Sequence, residues 1–249
     1  MKQYELYIFD LDGTVYLGND PAPHAPDVIA QLVERGSLVR YLTNSSAVEP
    51  EAVCEKLAEM GIPCRPEWVF TSGLLAARVC RERGYRTVHV VGEAPLTQAI
   101  EAAGLTVVED GKADVVLVGL CRHIDYEILD RALQCLLAGA VLLATNRDIT
   151  YPVEGGAVRP GAGSIVAAVE TSAGVTAEVL GKPSGRMVEQ ILKACDCQKE
   201  NALVVGDRVE TDIASGRAAG CDTWLVLSGV TNETVGGTGC SADLRGLLD

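Results

Sequence analysis

Two aspartates stand two residues apart at the end of an apolar run, in Asp10-Leu11-Asp12-Gly13-Thr14-Val15. The run before them, from Tyr4 to Leu11, is short and rich in β-formers, so it reads as a strand. Carboxylates two apart on extended backbone point the same way. Side by side they repel unless a cation lies between them or one keeps its proton. Both conditions are useful in chemistry. One carboxylate can attack an electrophile while a metal neutralises the approaching anion, and the other can protonate a leaving oxygen. A turn with two solvated aspartates reads the same way in isolation.

Three further groups have the same character. Thr43-Asn44-Ser45-Ser46 follows a second strand-like run, Leu38–Leu42. A hydroxyl and an amide beside free backbone N–H groups suit phosphoryl oxygens, and they equally suit a turn. Ser46 with Glu49 forms a capping box, predicting a helix that ends at Gly61. Gly181-Lys182-Pro183-Ser184 puts an ammonium just before a Pro-initiated helix, where a plain surface Lys would also fit. Leu203-Val204-Val205-Gly206-Asp207 ends another buried-type strand in a carboxylate, and Thr211-Asp212 follows as a predicted helix cap. Such hard oxygen ligands suit Mg²⁺. Each signal is modest, but together, in order and at strand ends, they supply a nucleophile, an acid, a phosphate clamp, an ammonium and a metal carboxylate.

The elements that must hold these residues alternate. Helical spacing over Pro26–Arg35 is stopped by Gly36. Further strand-like runs lie at Val88–Val91, Val115–Val118, Val141–Ala144 and Leu203–Val205, with helical patterns near Pro95–Ala103, Asp125–Leu137, Ser164–Thr171, Ser184–Ala194 and Thr211–Ala219 between and around them. Alternation of this kind predicts an α/β fold with parallel strands buried on both faces. Gly229–Cys240, rich in Gly and Thr, reads as a surface loop.

Composition narrows the partners. The 249 residues carry a net charge of −13, and 48% of them are hydrophobic. An acidic surface repels phosphate backbones and anionic lipids, so neither nucleic acid nor membrane is the expected partner. A phosphate ester would also be repelled, so its site must supply local positive charge. The N-terminus lacks the pattern of a signal peptide, and no run of about 18 apolar residues predicts a membrane helix. The nine cysteines are scattered without a CxxC pair, which predicts reduced, mostly buried thiols and a cytoplasmic location.

The set of motifs resembles the haloacid dehalogenase-like phosphatase superfamily, over nearly the whole chain. The resemblance implies a Rossmann-like, doubly wound parallel-sheet core. It implies Asp10 as nucleophile and Asp12 as general acid and base. Thr43, Asn44 and Lys182 would hold the phosphoryl group. Asp10, the backbone carbonyl of Asp12, and Asp207 would bind Mg²⁺, supported by Gly13 and Asp212. Only 33 residues separate Asp10 from Thr43, but 139 separate Thr43 from Lys182. The second interval exceeds any single crossover. An inserted α/β cap domain is therefore expected over residues 81–179, within a discontinuous core of residues 1–80 and 180–249.

Thr145-Asn146-Arg147-Asp148 and Arg159-Pro160-Gly161-Ala162-Gly163-Ser164 look like the subfamily of p-nitrophenyl, phosphoglycolate, pyridoxal phosphate and nucleotide phosphatases. That subfamily often has an Asp within Gly119–Arg122, where this chain has Cys121. The implied activity is hydrolysis of a small phosphomonoester, including sugar or glycerol phosphates, through an aspartyl phosphate. A homodimer through the cap is common in such proteins. Asn146, Arg147, Ile149, Thr150 and Tyr151 are candidates for selecting the leaving group, although Arg147 reads better as a surface ion pair. Carbon–halogen displacement needs neither Asp12 nor Asp207. Common mutases of the superfamily carry a helical cap between the first two motifs, for which the short interval leaves no room. No G-x-G-x-x-G follows the first strand, which argues against a dinucleotide-binding oxidoreductase. The alternative of another class is a non-catalytic regulator that binds a phosphorylated metabolite on the same fold.

Overall fold

The structure is a computed structural model that describes residues 2–152, 157–231 and 239–248. The chain begins with β1 (Leu6–Asp10), a small hairpin of β2 (Tyr16–Leu17) and β3 (Asp20–Pro21), α1 (Ala25–Glu34), β4 (Leu38–Thr43), α2 (Pro50–Glu59), β5 (Val69–Thr71) and α3 (Ser72–Glu82). It continues through β6 (Thr87–Val91), α4 (Ala94–Ala102), β7 (Thr106–Val107), β8 (Val115–Val118), α5 (Tyr126–Leu137) and β9 (Val141–Ala144). A hairpin of β10 (Thr150–Pro152) and β11 (Val158–Pro160) follows, then α6 (Ala162–Ala173) and β12 (Glu178–Val179). The last elements are α7 (Arg186–Cys195), β13 (Ala202–Gly206), α8 (Ala214–Ala219), β14 (Asp222–Val226) and β15 (Gly239–Ser241).

The chain divides into two compact units, one of residues 1–43, 50–70 and 182–249 and the other of residues 44–49 and 71–181. The first holds a six-stranded sheet in the order β15-β14-β13-β1-β4-β5. Its central strands are parallel, with Leu6 opposite both Ala202 and Leu38. All five residues of β1 and all five of β13 are buried. Continuous burial without alternation is the mark of a parallel sheet covered on both faces. This is the doubly wound, Rossmann-like arrangement expected from the alternating pattern.

The second unit has its own parallel sheet, β12-β9-β8-β6-β7. Val116 and Val118 of β8 pack with Ala132 and Cys135 of α5 and with Val166 and Val169 of α6 to form its core. Asp125 caps α5 by accepting a hydrogen bond from the N–H of Ile128 at 2.8 Å. Among the described residues no helix is long and apolar enough to cross a membrane.

Three local expectations are corrected. The helix predicted from Ser46 begins at Pro50 instead. Proline suits the first helical turn and disfavours helix in the residue before it, so Glu49 cannot continue the helix backwards. Ser46 is buried, and its hydroxyl accepts the N–H of Leu120 at 3.3 Å. The helix predicted from Thr211 is preceded by a π-helical turn over Val209–Ile213, so α8 proper starts at Ala214. The nine cysteines are not all free thiols: Cys54 on α2 is bonded to Cys64, with Cα atoms 5.2 Å apart. Gly61, at φ +71°, turns the chain back beyond the end of α2 and brings Cys64 within reach. Most of the loop expected at Gly229–Cys240 lies outside the described residues.

Truncating Ile8, fully buried in β1, removes methylenes from the centre of the first core. Ile8→Ala should lower unfolding stability by about 2–5 kcal/mol, read as a shift of the urea midpoint at unchanged slope. Thiol titration of denatured, unreduced protein should find Cys80, Cys121, Cys135, Cys195, Cys197, Cys221 and Cys240, and should find two more after reduction.

Candidate active site

From β1 the chain moves to β4 and β5 on one side of the sheet, and it later returns to β13, β14 and β15 on the other. The carboxyl ends of β1, β4 and β13 therefore meet at a topological switch point, where open α/β sheets bind ligands. Asp10 closes β1, Thr43 closes β4, and Asp207 follows the last residue of β13. In this way the sheet brings together residues nearly 200 positions apart in sequence.

Asp10, Lys182, Asp207 and Asp212 are all buried there. Among the described residues, Asp10, Asp207 and Asp212 form a group able to hold a metal ion, with ligand atoms all within 4.8 Å of one another. Lys182 donates to Oδ1 of Asp10 and, at 2.7 Å, to Oδ1 of Asp212. The π-helical turn aims Asp212 back at the strand end, and its Oδ2 accepts the N–H groups of Asp207 at 3.2 Å and Arg208 at 3.0 Å. Such turns recur at functional sites because they redirect side chains that an α-helix would space regularly. Thr14 donates to Oδ2 of Asp10 at 3.5 Å.

Close approach dictates the glycines. A Cβ on Gly13, at φ +97°, would lie 2.4 Å from Oδ2 of Asp207. One on Gly206 would lie 2.2 Å from Cβ of Asp212. No other residue fits at either position without moving a carboxylate.

The electrostatics follow from burial. Asp10 is raised well above the usual carboxylate range, first by burial and then by Asp212, against the opposing charge of Lys182. Asp207 is pushed up to about 6 by burial and the Asp212 charge, while the N–H of Val230, 2.8 Å from Oδ2, pulls it down. Burial works against the Lys182 charge, but Asp10 and Asp212 outweigh it and hold the ammonium above its ordinary value. Oδ1 of Asp207 is buried and has no hydrogen-bond partner among the described residues. A buried anionic oxygen without a donor is costly, and a hard cation satisfies it. The residues present thus fit a divalent metal.

The predicted residues divide between the two units. Asp10, Asp12, Gly13, Thr43, Lys182, Asp207 and Asp212 belong to the first. Asp12 is exposed and its side chain is not part of the three-carboxylate group. Asn44 belongs to the second unit, where its Nδ2 donates to both oxygens of Asp148 at 3.2 Å. Asn146 donates to the carbonyl of Asn44 at 2.7 Å and accepts the N–H of Asp148 at 3.0 Å. Arg147 pairs with Glu170, as the sequence reading favoured. Tyr151 is half-buried in the β10 strand.

Sequence reasoning missed Asp148, which only folding brings to Asn44. It also missed Tyr16 and Lys56. Tyr16 donates to Oδ2 of Asp12 at 3.3 Å, and Nζ of Lys56 lies 3.6 Å from the Tyr16 ring centroid. The sole available signal was the place of Tyr16 four residues after Asp12.

Residues 7–106 match the model of the haloacid dehalogenase-like hydrolases, and residues 179–243 match a second, HAD-hydrolase-like model. The chain is 38% identical over 232 residues to an acid sugar phosphatase of Staphylococcus aureus, covering 93% of this chain and 89% of that protein. It is 38% identical over 234 residues to the 5′-nucleotidase YutF of Bacillus subtilis, covering 94% and 91%. Its fold is similar to the crystal structure of a glycerol phosphate phosphatase from Mycobacterium tuberculosis in complex with magnesium, with a TM-score of 0.90 and 32% identity over 98% of this chain and 77% of that one. At this identity, over more than nine-tenths of its length, the chain belongs to the haloacid dehalogenase-like hydrolase family, among its phosphatases.

Proposed function

We propose that this protein is a Mg²⁺-dependent phosphatase of small phosphomonoesters that works through an aspartyl phosphate on Asp10. The observation that carries the reading is the buried Asp10–Asp207–Asp212 group, held by Lys182 and containing one carboxylate oxygen without a partner among the described residues. Residues 1–80 and 180–249 serve as the catalytic core, and residues 81–179 as an inserted cap. A cytoplasmic location and a homodimer through the cap belong to the same reading.

Asp10 attacks phosphorus, and its carboxylate is presented by a fully buried strand that leaves it little freedom to move. Asp12 sits two residues on, exposed to whatever enters, and protonates the leaving oxygen. Once ionised, Asp12 takes a proton from the water that hydrolyses the aspartyl phosphate. Lys182 offsets charge on the transferring oxygens, and Thr43, with Asn44 beside it, orients them. Asp10, Asp207 and the backbone carbonyl of Asp12 would hold the metal, with Asp212 in support. When bound, Mg²⁺ supplies positive charge that lets an anionic nucleophile meet an anionic ester. The relatives act on sugar phosphates, nucleotides and glycerol phosphate by their names, so the substrate sought is a small phosphomonoester of this range. Phosphoglycolate, pyridoxal phosphate and p-nitrophenyl phosphate complete it.

The test is phosphate release from these esters, with Mg²⁺ and with EDTA, by wild type and Asp10→Ala. Release should need both the metal and Asp10, and Asp10→Ala should lose about 10⁴-fold or more. Binding of such esters without turnover would replace the enzyme by a phosphometabolite-binding regulator.

A pH test addresses the metal. A carboxyl with a raised folded pKa holds its proton more tightly when folded, so it favours the folded state at low pH. That contribution is lost as pH rises from the ordinary aspartate value of about 4 through about 6 for Asp207. Metal-free protein should therefore lose stability across this window. Mg²⁺ should raise the melting temperature more at pH 7.5 than at pH 5, where protons compete for the same oxygens. Equal shifts at both pH values would remove Asp207 from the metal site.

A further inference from the structure

Asp12 presents a problem of aim. Its backbone is fixed, because the N–H of Gly13 donates to the carbonyl of Tyr16 at 2.9 Å and the N–H groups of Thr14, Val15 and Tyr16 all reach the carbonyl of Leu11. Its side chain is exposed, and an exposed aspartate samples several rotamers. A general acid must hold its proton within hydrogen-bond reach of the leaving oxygen. Some neighbour has to select the rotamer.

Tyr16 meets Asp12 from the buried side. The residue is 6% exposed, and its hydroxyl donates to Oδ2 of Asp12 at 3.3 Å. Asp12 and Tyr16 also form a backbone bridge, so the position of the ring is set at its root. At the other end Lys56, on α2, lies over the ring face at 3.6 Å from the centroid, a cation–π geometry. Burial lowers the Lys56 pKa, and the Asp12 charge opposes it.

We infer that Tyr16 is a positioning residue that aims Asp12 at the leaving oxygen, with Lys56 clamping the Tyr16 ring. This rests on the proposed role of Asp12 as the acid. The phenol bonds Oδ2 and so leaves the proton on Oδ1. As the Asp10 oxygen bonds to phosphorus, the ester P–O bond breaks and its electron pair goes to the leaving oxygen. That oxygen takes the proton from Oδ1 of Asp12. The negative charge left on Asp12 is then met by the phenol O–H, as a charge-assisted hydrogen bond.

A tyrosine that merely filled the core would affect every substrate alike, whereas an aiming residue affects those that need the proton. An alkoxide leaves poorly without protonation, and p-nitrophenolate leaves well without it. The experiment measures kcat/KM, which covers steps up to leaving-group departure and omits the later hydrolysis, for p-nitrophenyl phosphate and for the best alkyl phosphate of the panel. Tyr16→Phe keeps the ring and removes the hydroxyl. It should lose about tenfold or more on the alkyl ester, part of the 10²–10⁴ that general acid catalysis supplies, and less than about threefold on the nitrophenyl ester. Lys56→Met, which frees the ring and keeps the hydroxyl, should move the same ratio in the same direction by about threefold. Parallel losses on both esters, or a ratio unmoved in both variants, would overturn the inference. If wild type turns over neither ester, the phosphatase reading fails and this one with it. If wild type turns over both and the ratio stays fixed, only the role of Tyr16 falls.

Discussion

Three carboxylates and one ammonium share a buried site. Lys182 touches Asp10 and Asp212, and Asp207 keeps one oxygen with nothing to bond. The cluster is anionic as the chain alone builds it, so it must bind a proton or a cation. That constraint explains much of the surrounding structure. The π-helical turn exists where Asp212 must face backwards, and glycine stands wherever a side chain would press on a carboxylate. Breaking such a group costs more than its net contribution to stability, since a buried charge loses its partner. The same concentration of charge is what a small, hard cation would offset.

Much of the site was legible because its residues stand at strand ends. Asp10, Thr43 and Asp207 each follow an apolar run, and the sheet order puts those three runs side by side. Parallel pairing does the rest, and nothing beyond the pattern of buried strands is needed. The α/β class was equally plain, since β1 and β13 run apolar without alternation up to their last residues. Lys182 was visible through its setting beside Pro183, although α7 opens only at Arg186.

The sequence misled where two local signals competed. Ser46 and Glu49 have capping-box spacing, but Pro50 decides where α2 starts, and Ser46 is buried against Leu120 instead. Thr211 looked like an N-cap, yet tertiary demands on Asp212 impose a wider turn there. The Cys54–Cys64 bond was hidden because the reading leaned on compartment, while the deciding fact was a chain reversal at Gly61. Partners such as Asn44 with Asp148, or Asp12 with Tyr16 and Lys56, depend on side-chain directions that no periodicity encodes. These are contacts between polar groups, and hydrophobic patterning carries no information about them.

The placing of β1 between β4 and β13 has a consequence for how the chain becomes a protein. Leu6 pairs with Leu38 and with Ala202, so one edge of the first strand finds its partner at once and the other waits for most of the chain. During synthesis that open edge belongs to a largely apolar strand, the kind most prone to pair with a stranger. Closing it requires a contact of very long sequence separation, which is slow. Asp10 sits at the tip of this strand, and Lys182, Asp207 and Asp212 all arrive with or near its late partner. The buried carboxylate group and protection from aggregation are therefore acquired in the same event, and a chain that stops short of β13 lacks both.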